Sequence, residues 1–505
     1  MTPSARAQIP DWLEVAARSH PDRVALSFGR QHWTFASLRR SVVTAAGVLS
    51  NARAETTGRI GILSANRPGV VFAVHAATHM SVPVVLLNWR QTAAEIAWQL
   101  RDAGITVLAV DEERSTVAKA AGAELPVTIV PIAELERLPP PESSLNEPER
   151  IDLEQEAAVI YTSGTSGRAK GARITNGNLW FSAIASALHL GHHPGDVWLA
   201  TMPLFHVGGL AILFRGVIGT VPVVLHERFD PEVVLAAIDD GVTLLSVVPT
   251  MLQRLLDARG DAPWPPHVRC VLLGGSAAPP RLVEECFRRH IPVAPTYGLT
   301  EATSQVTTLL PDQAPSKPSS SGLPLPLTNL RITTPTGVGR PGEVGEIEIR
   351  GPTVFAGYLD DSFAGSQAIA DGWFRTGDAG HLDDEGYLYV IDRRDDLIIS
   401  GGENVYPAEI ERVLREHPSV LDAGVIGIAD ESWGSRPVAA VVWSGAPDRA
   451  GLDLLHHCQL HLPGYKIPDR FLLLSELPRS PSGKLLRRAL REMIGDSPER
   501  TEADV

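Results

Sequence analysis

The chain is short of cysteine, of unbroken apolar runs and of positive charge. Its three cysteines, Cys270, Cys286 and Cys458, are too few and too scattered for a disulfide framework, which points to a reducing compartment. The longest apolar stretch, Val70 to Leu87, is interrupted by His75, His79 and Pro83, so it reads as a helix followed by a strand and not as a membrane span. The N-terminal segment lacks the apolar core of a signal peptide, and we expect a cytoplasmic protein. Lys and Arg total 45 against 59 Asp and Glu, a formal net charge of −14. That balance argues against a nucleic-acid partner, which needs a basic face.

What is present is length, hydrophobic residues and loops. The 505 residues amount to roughly three domains' worth of mass, enough to bury large cores without staples. Glycine (44) and proline (40) are plentiful, as in chains whose sites sit on loops. Short β-branched runs such as RIGIL (Arg59 to Leu63), ITVLAV (Ile105 to Val110), LLSVVP (Leu244 to Pro249) and VRCVLLGG (Val268 to Gly275) alternate with helical patterns such as TAAEIAWQLRDAG. This alternation predicts an α/β fold with parallel-rich sheets covered by helices. From about Gly322 the pattern turns antiparallel and β-rich, in GEVGEIEIRG and GYLYVIDRR. After Arg394 a smaller α+β pattern begins. We therefore expect a large N-terminal lobe, 1–394, and a small C-terminal lobe, 395–505. Pro131 to Arg150 and Pro311 to Pro326 read as surface loops.

One segment carries chemistry on its face. YTSGTSGRAKG, Tyr161 to Gly171, follows an apolar run and precedes a helical one. Its glycines let backbone N–H groups crowd toward an anion, Thr162, Ser163, Thr165 and Ser166 add hydroxyl donors, and Lys170 adds a point charge. It is not a P-loop of the GxxxxGK[ST] kind: Ala169 precedes the lysine and Gly171 stands where the metal-binding hydroxyl belongs. Taken alone, the tract is equally readable as a flexible turn.

Its company decides. PLFHVGG (Pro203 to Gly209), GGSAAP (Gly274 to Pro279), YGLTEA (Tyr297 to Ala302), GYL (Gly357 to Leu359), WFRTGD (Trp373 to Asp378), IDRRDDLIISGGENVYPAEIE (Ile391 to Glu411) and PRSPSGKLLRR (Pro478 to Arg488) follow in that order. The chain resembles, over essentially its whole length, the adenylate-forming superfamily of acyl- and aryl-CoA synthetases. In motif style it is closest to o-succinylbenzoate-, coumarate- and medium-chain acyl-CoA ligases. It departs from the pattern at Ala169, where proline is usual, and at Arg436-Pro437.

The resemblance implies an acid–thiol ligase that uses ATP and Mg²⁺ to join a carboxylic acid to AMP, releases pyrophosphate, and passes the acyl group to coenzyme A. By that resemblance Thr162, Ser163, Gly164, Thr165, Ser166, Gly167 and Lys170 hold the β- and γ-phosphates. Thr300 reaches the α-phosphate and Glu301 helps to hold Mg²⁺. Gly274, Gly275, Ser276 and Ala277 form the adenine edge, Tyr297 stacks near the base, and Asp378 and Arg393 meet the ribose. His206 gates the acyl pocket and Lys484 is the catalytic lysine of adenylation. Asp395 matches a hinge that makes the small lobe mobile. Gly401, Gly402 and Glu403 match the pantetheine tunnel, and Arg90, Trp433, Tyr465 and Lys466 match positions near the CoA nucleotide. The alternative acceptor is a separate carrier protein or another nucleophile. A degenerate nucleotide-binding scaffold is disfavoured because Lys170, Glu301, Asp378, Arg393 and Lys484 are all present.

Other features read as structure. His457 and His461 flank Cys458 at i, i+4 spacing, but no further ligand lies near in sequence, so we read an exposed helix face. His192-His193 reads as a surface turn, and Trp12 and Trp33 as packing residues.

Overall fold

A computed structural model of the protein describes residues 7–53, 58–137, 150–163, 169–275, 278, 280–317, 319–334, 336–360, 369–392, 398–444, 450–478, 485 and 487–495. The chain forms two compact units. One comprises Met1–Trp89, Ile96–Tyr161 and Gly171–Ile391; the other comprises Arg90–Glu95, Thr162–Lys170 and Asp392–Val505.

The first unit is the expected α/β body with a β-rich part. The strands Glu156–Ser163, Val84–Leu86, Arg59–Leu63, Ile105–Val110 and Thr128–Pro131 run parallel in one sheet. In a second, larger sheet, Val293–Leu299, Cys270–Leu273, Leu244–Val247, Trp198–Ala200, Val223–Leu225 and Val24–Phe28 are parallel neighbours. Parallel strands are covered on both faces, and their runs are correspondingly continuous in hydrophobic residues: every residue of Cys270–Leu273 and of Leu244–Val247 is buried. A third sheet, antiparallel, holds Asn329–Thr334, Gly345–Arg350 and Trp373–Leu382.

The Val70 to Leu87 stretch is the helix Pro68–His79 and the strand Val84–Leu86. Proline starts that helix, where its missing N–H costs nothing. Two expected loops hold more structure than their composition suggests. Ile132–Leu135 is a helical turn because Ile132 and Leu135, one turn apart, both reach the core. Leu323–Pro324 adds an edge strand to Ser304–Thr308. Trp12 is a core residue and Trp33 packs against the same core. Among the described residues no helix is long and apolar enough to cross a membrane.

The second unit is α+β. Its sheet has the order Glu403–Val405, Ile398–Ser400, Gly434–Trp443, Val420–Asp430, with Arg470–Leu473 parallel to Gly434–Trp443. Helices Pro407–Arg415 and Ala450–His461 contribute Ile410, Val413, Leu414, Leu454 and Cys458 to its core. The His457 face is therefore not a simple exposed one. Cys458 is fully buried, and a ring nitrogen of His457 is 2.9 Å from the Val413 carbonyl oxygen. Burial pushes the Cys458 thiol up to about 12, so it stays protonated and inert.

Candidate active site

Strands Cys270–Leu273 and Val293–Leu299 lie side by side in parallel, with Leu273 opposite Pro295. Gly274-Gly275 and the Thr300-Glu301 turn therefore leave the sheet at its carboxyl edge, where ligands of open α/β sheets bind. Side chains are excluded there by space. A Cβ on Gly274 would sit 2.6 Å from Thr296 Cγ2, and Gly275 has φ +83°, a region that suits glycine.

Tyr297 is buried, and its hydroxyl donates to Asp378 Oδ2 at 2.7 Å. Asp378 is fixed from its own strand as well, its backbone N–H donating to Thr376 Oγ1 at 3.1 Å. The tyrosine holds one carboxylate oxygen in place. A carboxylate offers about four lone-pair sites, so Asp378 retains the capacity to accept a pair of hydroxyls.

The acidic turn is pinned from three sides. Thr300–Ala302 ends at Thr303, which has φ +54°, and the Thr303 hydroxyl donates to the Thr353 carbonyl at 2.8 Å. The Glu301 carbonyl accepts from Phe355 N–H at 2.9 Å. The Tyr358 hydroxyl donates to Glu301 Oε1 at 2.6 Å. The GYL tyrosine thus orients the carboxylate that the family resemblance implies as a Mg²⁺ ligand.

His206 stands immediately before helix Val207–Ile218, partly buried, its ring 4.6 Å from that of Phe205. Further along this helix is a residue that motif reading passes over. Arg215 is 5% exposed and lines a cavity of about 60 Å³ with Ser186, Trp198 and Leu244. Its Nη2 donates to Ser304 Oγ at 3.3 Å, and its Cζ lies 5.2 Å from the centre of the Trp198 ring. Among the described residues Nε has no hydrogen-bond partner, nor has the buried Ser186 Oγ. Burial pushes the guanidinium down to about 10, and the one titratable neighbour acting on it is Cys270. Asp196 borders the same cavity but is gripped by Arg269, at 2.6 Å from both Nε and Nη2. A charged group without its own carboxylate is costly to bury. The arrangement can receive a carboxylate.

In the second unit, Thr162 Oγ1 approaches the Lys170 carbonyl oxygen at 3.5 Å, bringing the two arms of the glycine loop together. Gly401 and Gly402 have φ +58° and +84°, and a Cβ on Gly401 would sit 2.6 Å from Trp433 Cε3. Glu403 is buried and pairs with Arg90 Nη1 at 2.8 Å. Lys466 is no surface cation: it is 4% exposed, 2.7 Å from Glu409 Oε1 and 3.1 Å from Glu95 Oε1. Gly164, Thr165, Ser166, Gly167, Ser276, Ala277, Arg393, Asp395 and Lys484, and the side chain of Ser163, lie outside the described residues.

Two family models match the chain. Residues 13–359 match the AMP-binding enzyme family and residues 409–484 match the AMP-binding enzyme C-terminal domain. The chain belongs to the AMP-binding, adenylate-forming enzyme family. Among its relatives is the 2-succinylbenzoate–CoA ligase of Bacillus mycoides, 42% identical over 96% of this chain and 99% of the relative. Among solved structures it is similar to a double mutant of the o-succinylbenzoate CoA synthetase from Bacillus subtilis bound with its product analogue OSB-NCoA. The TM-score is 0.89 and the identity 40%, over 96% of this chain and 98% of that one. The same Bacillus subtilis synthetase in complex with ATP and magnesium ion gives a TM-score of 0.73 and 40% identity, over 96% and 100% of the two chains.

Proposed function

We propose that the protein is a 2-succinylbenzoate–CoA ligase. The observation that carries the substrate assignment is Arg215, a buried guanidinium with no carboxylate partner among the described residues, beside a cavity whose one carboxylate, Asp196, is held by Arg269. An acid with a single carboxylate would spend that group on the reaction and leave Arg215 unmatched. 2-Succinylbenzoate has two: the succinyl carboxylate, which reacts, and the ring carboxylate, which Arg215 takes. A bidentate fork is the geometry that guanidinium supplies best.

In the first half-reaction the succinyl carboxylate attacks the α-phosphorus of ATP. The bond to the β-phosphate bridge breaks, and pyrophosphate leaves. Several anionic groups meet, so the chain must supply positive charge and oriented donors. Lys170 and the hydroxyls and N–H groups of 162–167 serve the β- and γ-phosphates. Thr300 serves the α-phosphate and Lys484 the incoming carboxylate. The donor set at Glu301 fits Mg²⁺, a hard cation held by one or two carboxylates together with substrate phosphates. When bound, the ion neutralises phosphate charge. Asp378, oriented by Tyr297, receives the ribose hydroxyls, while Gly274 and Gly275 leave room for a flat base. In the second half-reaction the CoA sulfur attacks the acyl carbon and AMP leaves. Gly401, where a side chain has no space, and Gly402, at positive φ, line the path of the thiol in this reading, and residues 395–505 turn about Asp395 between the steps.

The test separates the half-reactions. With ATP and 2-succinylbenzoate, pyrophosphate release is expected, followed by AMP and a CoA thioester once CoA is added. Lys484→Ala is expected to slow adenylation by at least about a hundredfold while sparing thioester formation from supplied acyl-AMP. Turnover in hydroxylamine that CoA leaves unchanged would assign a different acceptor. Near-normal pyrophosphate release by Lys484→Ala would remove the lysine from its role.

A further inference from the structure

The guanidinium of Arg215 is held by an aromatic face in place of an ion partner. Trp198, 5% exposed on strand Trp198–Ala200, presents its ring 5.2 Å from Arg215 Cζ. That is within the range of a cation–π contact. The ring is itself fixed: its Nε1–H donates to the buried Ser246 Oγ at 3.2 Å, on the adjoining strand Leu244–Val247. Ring and guanidinium line the same cavity.

The choice of an indole has a chemical consequence. A carboxylate in that place would accept N–H bonds and neutralise the guanidinium before any ligand arrived. An aromatic face attracts the cation through its quadrupole and accepts no bond in the guanidinium plane. Among the described residues Nε is left without a partner, and Nη2 has only the long contact to Ser304. The nearby carboxylate, Asp196, is occupied by Arg269.

We propose that Trp198 is a positioning residue for substrate selection, holding Arg215 in place while leaving its N–H groups unspent for the second carboxylate of the acid. This rests on the reading of Arg215 as the carboxylate receiver. The probes are 2-succinylbenzoate and 4-oxo-4-phenylbutanoate, the same acid without its ring carboxylate. The readout is the ratio of their kcat/KM values in pyrophosphate release. A defect of folding or packing lowers both values and leaves the ratio where it was.

Trp198→Leu is expected to lower the ratio by about five- to thirtyfold, the worth of a desolvated cation–π contact, chiefly through KM of the dicarboxylate. Trp198→Phe keeps a π face and is expected to fall between wild type and Leu, at roughly a two- to threefold loss. If the Leu variant does not fold, that intermediate loss decides the matter. A ratio unchanged in both variants overturns the proposal while the substrate reading stands, provided Arg215→Met collapses the ratio. A ratio that Arg215→Met leaves unchanged overturns the substrate reading, and the role of Trp198 falls with it.

Discussion

Lys466 and Arg215 are both basic, both nearly inaccessible and in different units of the molecule, yet they are treated in opposite ways. Lys466 lies between Glu409 and Glu95. Burial works against its charge, but Glu409, Tyr465 and Glu95 together more than offset it and hold the ammonium above its ordinary value. Among the described residues Arg215 has a tryptophan face, one hydroxyl and no carboxylate partner, and burial wins, drawing it down to about 10. Even so it remains a cation at neutral pH. A buried cation whose charge is matched inside the protein is part of the scaffold. One whose charge is unmatched keeps N–H groups available to an arriving anion, the role proposed for Arg215.

The contrast breaks most visibly in folding stability. Lys466→Met strands the buried Glu409 and the half-buried Glu95 and is expected to cost about 3–5 kcal/mol, read by urea unfolding; a loss below about 1 kcal/mol would show that the pair is not structural.

His75 sharpens the comparison as a third buried base. Among the described residues it has no hydrogen-bond partner at either ring nitrogen, and it packs against Phe214, its ring 5.5 Å away. Burial lowers it from 6.5 to about 4, against a weaker upward pull from Asp11. The folded protein thus binds this proton less readily than the unfolded chain. Its contribution is complete above pH 6.5 and is lost as pH falls toward about 4, by up to about 3 kcal/mol. His75→Phe is expected to flatten that acid slope; an unaltered slope would place its origin elsewhere.

The smallest stability effect belongs to Arg215→Met, which trades an unmatched charge for an apolar group. Stability is expected to stay within about 1 kcal/mol of wild type or to rise. A loss as large as that of Lys466→Met would make Arg215 scaffold after all.

The sequence shows the fold class and the family motifs because both are local. Parallel strands read as unbroken apolar runs, and the glycines and hydroxyls of the candidate phosphate loop stand next to one another in sequence. It does not show that Tyr297 holds Asp378 or that Tyr358 holds Glu301, contacts that span 81 and 57 residues. Arg215 escapes for a different reason. It sits near the end of the helix VGGLAILFRGVI, where a cation is ordinary. A lone arginine inside an otherwise apolar helix, following the PLFH segment, is the signal that could have found it. Cys458 is misjudged with its histidine neighbours because successive helical positions point about 100° apart, so it reaches the core while His461 stays exposed.

The most direct measurement compares ATP–pyrophosphate exchange driven by 2-succinylbenzoate and by 4-oxo-4-phenylbutanoate, in wild type and in Arg215→Met. Wild type is expected to favour the dicarboxylate by at least about tenfold, the worth of a charged hydrogen bond, and Arg215→Met to lose that preference. Equal exchange with the two acids in wild type would contradict it.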